Sequence, residues 1–68
     1  MITNTRELVL NATVKTYWKD EDMEGRYFTG GTVLEILDDR EFVVAINGDP
    51  TSTEIINISD FDVKIIAE

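Results

Sequence analysis

Gly30 and Gly31 stand side by side inside the stretch "YFTGGTVLEILDDREFVVAI" (Tyr27 to Ile46), which otherwise has the make-up of two strands and a tight turn. Glycine weakens a strand interior, because it loses the most conformational freedom on folding and packs no side chain. Two in succession mark a place where the backbone bends sharply or crosses another backbone closely, as a barrel corner requires. The apolar residues that follow, Val33, Leu34, Ile36 and Leu37, do not keep one parity. That break predicts a bulge, in which one extra residue re-aims the strand and increases its twist.

The rest of the chain has the period of strands. Leu8, Leu10, Ala12, Val14, Thr16 and Trp18 share one parity, with Asn11, Thr13, Lys15 and Lys19 on the other, the pattern of a half-buried strand. "KDEDMEG" (Lys19 to Gly25) is a charged loop closed by glycine. Arg26 to Leu37 forms the second strand and "DDR" (Asp38 to Arg40) a tight turn. Glu41 to Asn47 is the third strand, with Phe42, Val44 and Ile46 on one face. "NGDPTST" (Asn47 to Thr53) carries every loop signal. Ile55, Ile56 and Ile58 mark a fourth strand, "SDFD" (Ser59 to Asp62) a turn, and Val63, Ile65 and Ile66 a fifth strand. Asn4 with Glu7 three residues on has the form of a cap for a single helical turn.

The expected fold is all-β, one small five-stranded barrel spanning residues 1–68, with a strongly bent second strand and residues 1–7 as a loosely ordered extension. Closure into a barrel removes the open edges that a small flat sheet would present. Val14, Val33, Ile36, Val44, Ile46, Ile56 and Val63 are the expected core.

Composition narrows the chemistry. The chain has no cysteine and no histidine, so it offers no disulfide or thiol chemistry and lacks the commonest general base and metal ligand. No apolar run approaches the roughly 20 residues that span a bilayer. The N-terminus lacks the basic start and apolar segment of a signal peptide. These features point to a soluble, cytoplasmic protein, and Met1 favours a whole chain over an excised piece. The sequons at Asn11 and Asn57 are then chance matches. Fourteen acids against six bases give a formal net charge of -8. Such a charge keeps a small protein soluble, repels nucleic acid and anionic lipid, and attracts basic partners.

The segments "GGTVLEIL", "DDR", "FVVAIN" and "IINISDFDVKII", in this order, resemble the SH3-like barrels, especially their Tudor-like and KOW-type branches. Gly31, Thr32, Val33, Glu35 and Ile36 match the arrangement of a small residue, a valine and an acidic-apolar pair entering a turn. The resemblance covers Val14 to Ile66 and implies a five-stranded barrel. KOW-type nucleic acid binders are basic, which this chain is not. Tudor-like domains that read methylated side chains do so in an aromatic cage, for which the resemblance offers Tyr17, Trp18, Tyr27, Phe28, Phe42 and Phe61.

No enzyme chemistry is expected: no nucleophile has a base, and the glycine pair lies inside a strand and not before a helix. "DEDMEG" starts like a calcium loop, with Asp20, Asp22 and Glu24 at alternate positions, but the twelfth position is Gly31, where a bidentate glutamate is required. No metal and no cofactor is expected. The expected function is binding, through an acidic surface, to a basic protein surface. Its candidate residues are Asp20, Glu21, Asp22, Glu24, Asp38 and Asp39, with Tyr17, Trp18 and Tyr27 as aromatic contacts. The acids are expected in two patches, with the DDR turn apart from the first loop. A sharp version is an inhibitor, similar to phage-encoded inhibitors of host enzymes, that presents carboxylates in place of phosphates. The alternatives are a Tudor-like module that binds a cationic or methylated peptide in a cage of Trp18, Tyr27 and Phe42, and a small structural subunit that forms homo-oligomers.

Overall fold

Alternating burial along Thr13–Trp18 makes the first strand, β1, in which Val14 and Thr16 have no exposed surface. A computed structural model describes residues 1–19 and 27–68. Four more strands follow: β2 (Tyr27–Ile36), β3 (Glu41–Ile46), β4 (Thr53–Asn57) and β5 (Phe61–Ala67). They form one antiparallel sheet in the order β4-β3-β2-β1-β5. The one described helical element is a 3₁₀ turn at Thr5–Glu7.

The all-β class and the five strands match the sequence reading, and the sheet is open: β4 and β5 end the strand order without pairing to each other. The N-terminal segment lies against the β5 end. Ile2 N–H donates to the Val63 carbonyl at 3.0 Å, and Thr5 N–H donates to the Asp39 carbonyl at 3.2 Å. Residues 1–7 thus run from the edge of β5 to the β2–β3 turn. The cap expected at Asn4 is present: its side chain accepts from Arg6 N–H at 2.8 Å, while Glu7 Oε2 accepts from Asn4 N–H at 3.0 Å.

The glycine pair sits where β2 changes partners. β2 pairs with β1 along Tyr27–Thr32 and with β3 along Gly31–Ile36. At the handover Gly31 lies opposite both Val14 and Ile46. A side chain on Gly31 would overlap the Ala45 carbonyl oxygen and come within 2.8 Å of its carbon. This is a close backbone crossing, as expected. The bulge lies further along, between Val33 and Glu35, and leaves Leu34 unpaired against β3. Two more irregularities occur, at Thr16/Tyr17 and at Thr13/Val14, where Phe28 and Ile66 are the extra residues.

The core comprises Leu8, Ala12, Val14, Val33, Phe42, Val44, Ile56, Ile58 and Val63. Five of the seven expected core residues are here, and two are not. Ile36 is 37% exposed. It pairs with Phe42 at the last rung of the β2–β3 ladder, past the stretch of β2 that is bonded to β1 and to Asn11 and Ala12 before it, and so sits at the rim of the sheet. Ile46 is half-buried, because its partner Gly31 has no side chain to lay over it. Leu10, expected to face inward, is exposed: Asn11 has φ 73°, and this turn breaks the alternation before β1 begins. Two buried threonines carry no unmet polar atom. Thr16 Oγ1 donates to the Thr29 carbonyl at 3.0 Å, and Thr5 Oγ1 donates to the Asp38 carbonyl. Leaving such a hydroxyl unpaired would cost about 1–3 kcal/mol.

Gly31→Ala is expected to destabilise by about 2 kcal/mol or more, since its β-carbon meets backbone and not a movable side chain. At Gly30 the nearest atom is the Tyr27 hydroxyl, the far end of a side chain that can move, so Gly30→Ala should cost less. Urea unfolding of the two variants checks the order, and an equal or inverted order would remove the crossing as the reason for Gly31.

Candidate functional site

Trp18 and Phe61 are cross-strand partners where β1 ends and β5 begins. With Phe28 they form a cluster: ring centroids lie 4.6 Å (Trp18–Phe61), 4.7 Å (Trp18–Phe28) and 4.8 Å (Phe28–Phe61) apart. All three rings are half-buried, and Phe28 and Phe61 pack against the core. The outer side of this cluster opens into a depression of about 410 Å³ lined by Trp18, Lys19, Ser59, Asp60 and Phe61. Lys19 is held at its edge. Its Nζ donates to the Ile58 carbonyl at 2.8 Å and lies 3.9 Å from Asp62 Oδ1. Its N–H donates to the Asp60 carbonyl at 3.3 Å. In sequence, the acidic run begins at the next residue.

The β4–β5 turn, Ile58 to Asp60, also touches the DDR turn. Ile58 N–H donates to the Arg40 carbonyl at 2.9 Å, and Arg40 Nη1 donates to Ser59 Oγ at 3.1 Å. One turn therefore joins Asp38 and Asp39 on one side to Asp60, Asp62 and Lys19 on the other. Sequence distance hid the connection, which is made by Arg40 and Ser59. The expectation that the DDR turn stands apart from the first loop concerns Asp20, Glu21, Asp22 and Glu24, which lie outside the described residues.

The acids divide by what they do locally. Asp38 Oδ1 accepts from Arg40 N–H and Glu41 N–H, both at 2.8 Å, and so fixes its own turn. Asp49 Oδ1 accepts from Thr51 Oγ1 at 2.7 Å and Thr51 N–H at 2.9 Å. The Thr51 hydroxyl first, then its N–H, hold the Asp49 carboxyl below its ordinary value. Glu7 Oε2 accepts from Thr3 N–H at 2.6 Å and Thr3 Oγ1 at 3.1 Å. The Thr3 N–H is the main cause of a lowered Glu7 value. Asp39 and Asp60 are exposed and make no side-chain hydrogen bond among the described residues.

Of the sequence-derived candidates, Asp20, Glu21, Asp22 and Glu24 lie outside the described residues, as does most of the calcium-like stretch. Among the described residues no group of three or more acids could hold a metal ion, and no helix is long and apolar enough to cross a membrane. Tyr17 and Tyr27 meet edge to face at 6.0 Å on the outer side of the sheet. Trp18 is on the inner side with Phe28 and Phe61. A cage of Trp18, Tyr27 and Phe42 does not form: Phe42 has no exposed surface, and the other two belong to different clusters. The parity of β3 already placed Phe42 with Val44, which is the signal against that cage. Asp60 and Phe61 join the site through the Trp18–Phe61 pairing, which sequence alone does not give. Comparison with known protein families, with curated proteins and with solved structures finds no match.

The Glu7 contacts give a pH prediction. A carboxyl whose folded value is depressed adds stability above its ordinary value of 4.5 and loses it as pH falls through the depressed value. Glu7→Gln keeps the reach of the side chain and removes the titration. The stability difference between wild type and variant should be largest near neutral pH and shrink below pH 4.5, read by urea unfolding across that range. A difference that does not change with pH would show that the charge on Glu7 adds nothing.

Proposed function

We propose that the chain is an SH3-like binding module that presents an acidic surface to a basic protein and performs no catalysis. The strand order β4-β3-β2-β1-β5, the partner switch within β2 and the 58–60 turn leading into β5 support the SH3-like reading. The observation that carries the functional reading is the β4–β5 turn, which links Asp38 and Asp39 to Asp60 and Asp62 beside Trp18, at the point where the chain enters Asp20, Glu21, Asp22 and Glu24. Lys19–Asp62 is the one ion pair among the described residues, and the exposed Asp39 and Asp60 keep their charge for a partner. Trp18 and Phe61 supply an apolar contact beside the charge, the combination that anchors interfaces. In the sharper form of the proposal, the carboxylates occupy a basic site that otherwise takes phosphates.

A second reading rests on the Trp18–Phe28–Phe61 cluster flanked by Asp60, which suits a cationic side chain held by ring faces and a carboxylate. The rings pack on one another, so this mode requires them to part. That requirement ranks it second.

The two readings separate in one experiment. A lysine-rich peptide and its trimethyl-lysine form serve as probes for stopped-flow association. Charge-steered binding predicts an on-rate that falls roughly tenfold as salt rises past physiological strength, where the Debye length is about 8 Å. Neutralising Asp20, Glu21, Asp22 and Glu24 together should slow association more than it speeds dissociation, and Asp60→Asn with Asp62→Asn should add to the effect. Cage binding predicts preference for the methylated probe, a weak salt response and loss in Trp18→Ala. A flat salt response with binding lost only in Trp18→Ala would replace the first reading by the second.

A further inference from the structure

The outer face of β5-β1-β2 carries a charge arrangement at odds with the rest of the molecule. Lys15 and Lys64 are direct cross-strand partners, and both are exposed. Like charges opposite one another destabilise a strand pair. The nearest acid on this face, Asp62, lies two residues along β5 and faces Lys19 at 3.9 Å. In a chain of net charge -8, two adjacent lysines therefore have no carboxylate within ion-pair distance among the described residues.

A groove of about 340 Å³ is lined by Lys15, and Lys64 stands across the strand pair from that lysine. The floor of the groove is Gly30, which faces outward because it pairs with outward-facing Lys15. One wall is Tyr27, 53% exposed, with the Lys15 ammonium 5.8 Å from its ring centroid. The other wall is the turn at Asn47 and Gly48, both with positive φ, strapped to the floor by the Asn47 N–H bond to the Gly30 carbonyl at 2.9 Å. Thr13, Val14, Gly31, Thr32 and Ile66 complete the lining. A side chain on Gly30 would fall 2.7 Å from the Tyr27 hydroxyl and 3.1 Å from the Val14 carbonyl oxygen, so only glycine leaves this depth. The volume is at the low end of small-molecule sites.

We propose that this groove binds a small anion with a flat apolar body, the ring lying on Tyr27 over Gly30 and the anionic head taken by Lys15 and Lys64. The net charge of -8 decides the size of the ligand. A nucleic acid strand would meet repulsion over its whole length, whereas a single phosphate or carboxylate meets the local pair of ammonium groups. The head group is either a phosphate, as in a mononucleotide, or the carboxylate of an aryl acid, and both share this chemistry. The site is separate from the acidic surface and does not depend on it.

Amide chemical-shift titration of the full chain tests the proposal with three probes: adenosine monophosphate, indole acetate and neutral adenosine. The expected result is saturable shifts at Lys15, Tyr27, Gly30, Thr32 and Lys64 with at least one anion at millimolar concentration or below, and little response to adenosine. The anion that binds more tightly identifies the head group. Lys15→Gln with Lys64→Gln, both on exposed residues, should weaken binding roughly tenfold. Gly30→Ala, which fills the floor, should weaken it further while the remaining spectrum stays that of the folded protein. Absence of localised shifts, equal binding of adenosine, or affinity unchanged in the double lysine variant would overturn the proposal.

Discussion

The approach of Gly31 to the Ala45 carbonyl is the contact on which the rest of the arrangement depends. A strand in the middle of a five-stranded sheet must serve two neighbours, and β2 serves them mostly one after the other. Its first half belongs to β1 and its second half to β3, with overlap only at Gly31 and Thr32. The change of partner brings three backbones to one place, and a residue with a β-carbon does not fit there. With the crossing made, Val14 of β1, Val33 of β2 and Val44 of β3 bury their side chains completely in one core. Gly30 has the opposite role: it faces outward, and its missing side chain gives the outer groove its floor.

The small size of the chain makes each local device count. A core of this size is marginal by area alone, so the turns are fixed by side chains. Asp38, Asp49, Asn57 and Glu7 each accept backbone N–H bonds within their own turns. Part of the acidic composition therefore has a structural use. Asp38, singled out as a partner contact, is also a turn residue, and its replacement would disturb the DDR turn as well as remove charge. Asp39 and Asp60 have no such second role among the described residues, which makes them the cleaner probes of charge.

Most of the strand pattern was legible because period-two alternation reports burial directly. The alternation of Ala12, Val14 and Thr16 held, as did that of Phe42 and Val44. It failed where the chain leaves the regular pleat. Asn11 enters the left-handed region and turns Leu10 outward, and Ile36 sits at the rim of the sheet. The glycine pair signalled a crossing, but which carbonyl it crosses is a tertiary fact. The candidate site was only partly legible for the same reason. Trp18 and Tyr17 could be assigned to opposite faces from parity, yet the partners of each came from β5 and β2 through pairing registers that contain extra residues. Arg40 and Ser59 carry the link between two acidic segments, and neither residue has a pattern in sequence that would announce it.

The hydrogen bond from Ile2 to Val63, together with the pairing of Thr13 with Ala67, has a consequence for the order of assembly. The hairpins β1–β2, β2–β3 and β3–β4 join neighbours in sequence and can form early. β5 and the N-terminal segment can dock only after the chain has closed a loop that contains almost everything between them. Ring closure of that length carries an entropic penalty before any contact repays it. Completing this small sheet therefore requires residues far apart in sequence to meet, a closure that costs more chain entropy than any of its hairpins.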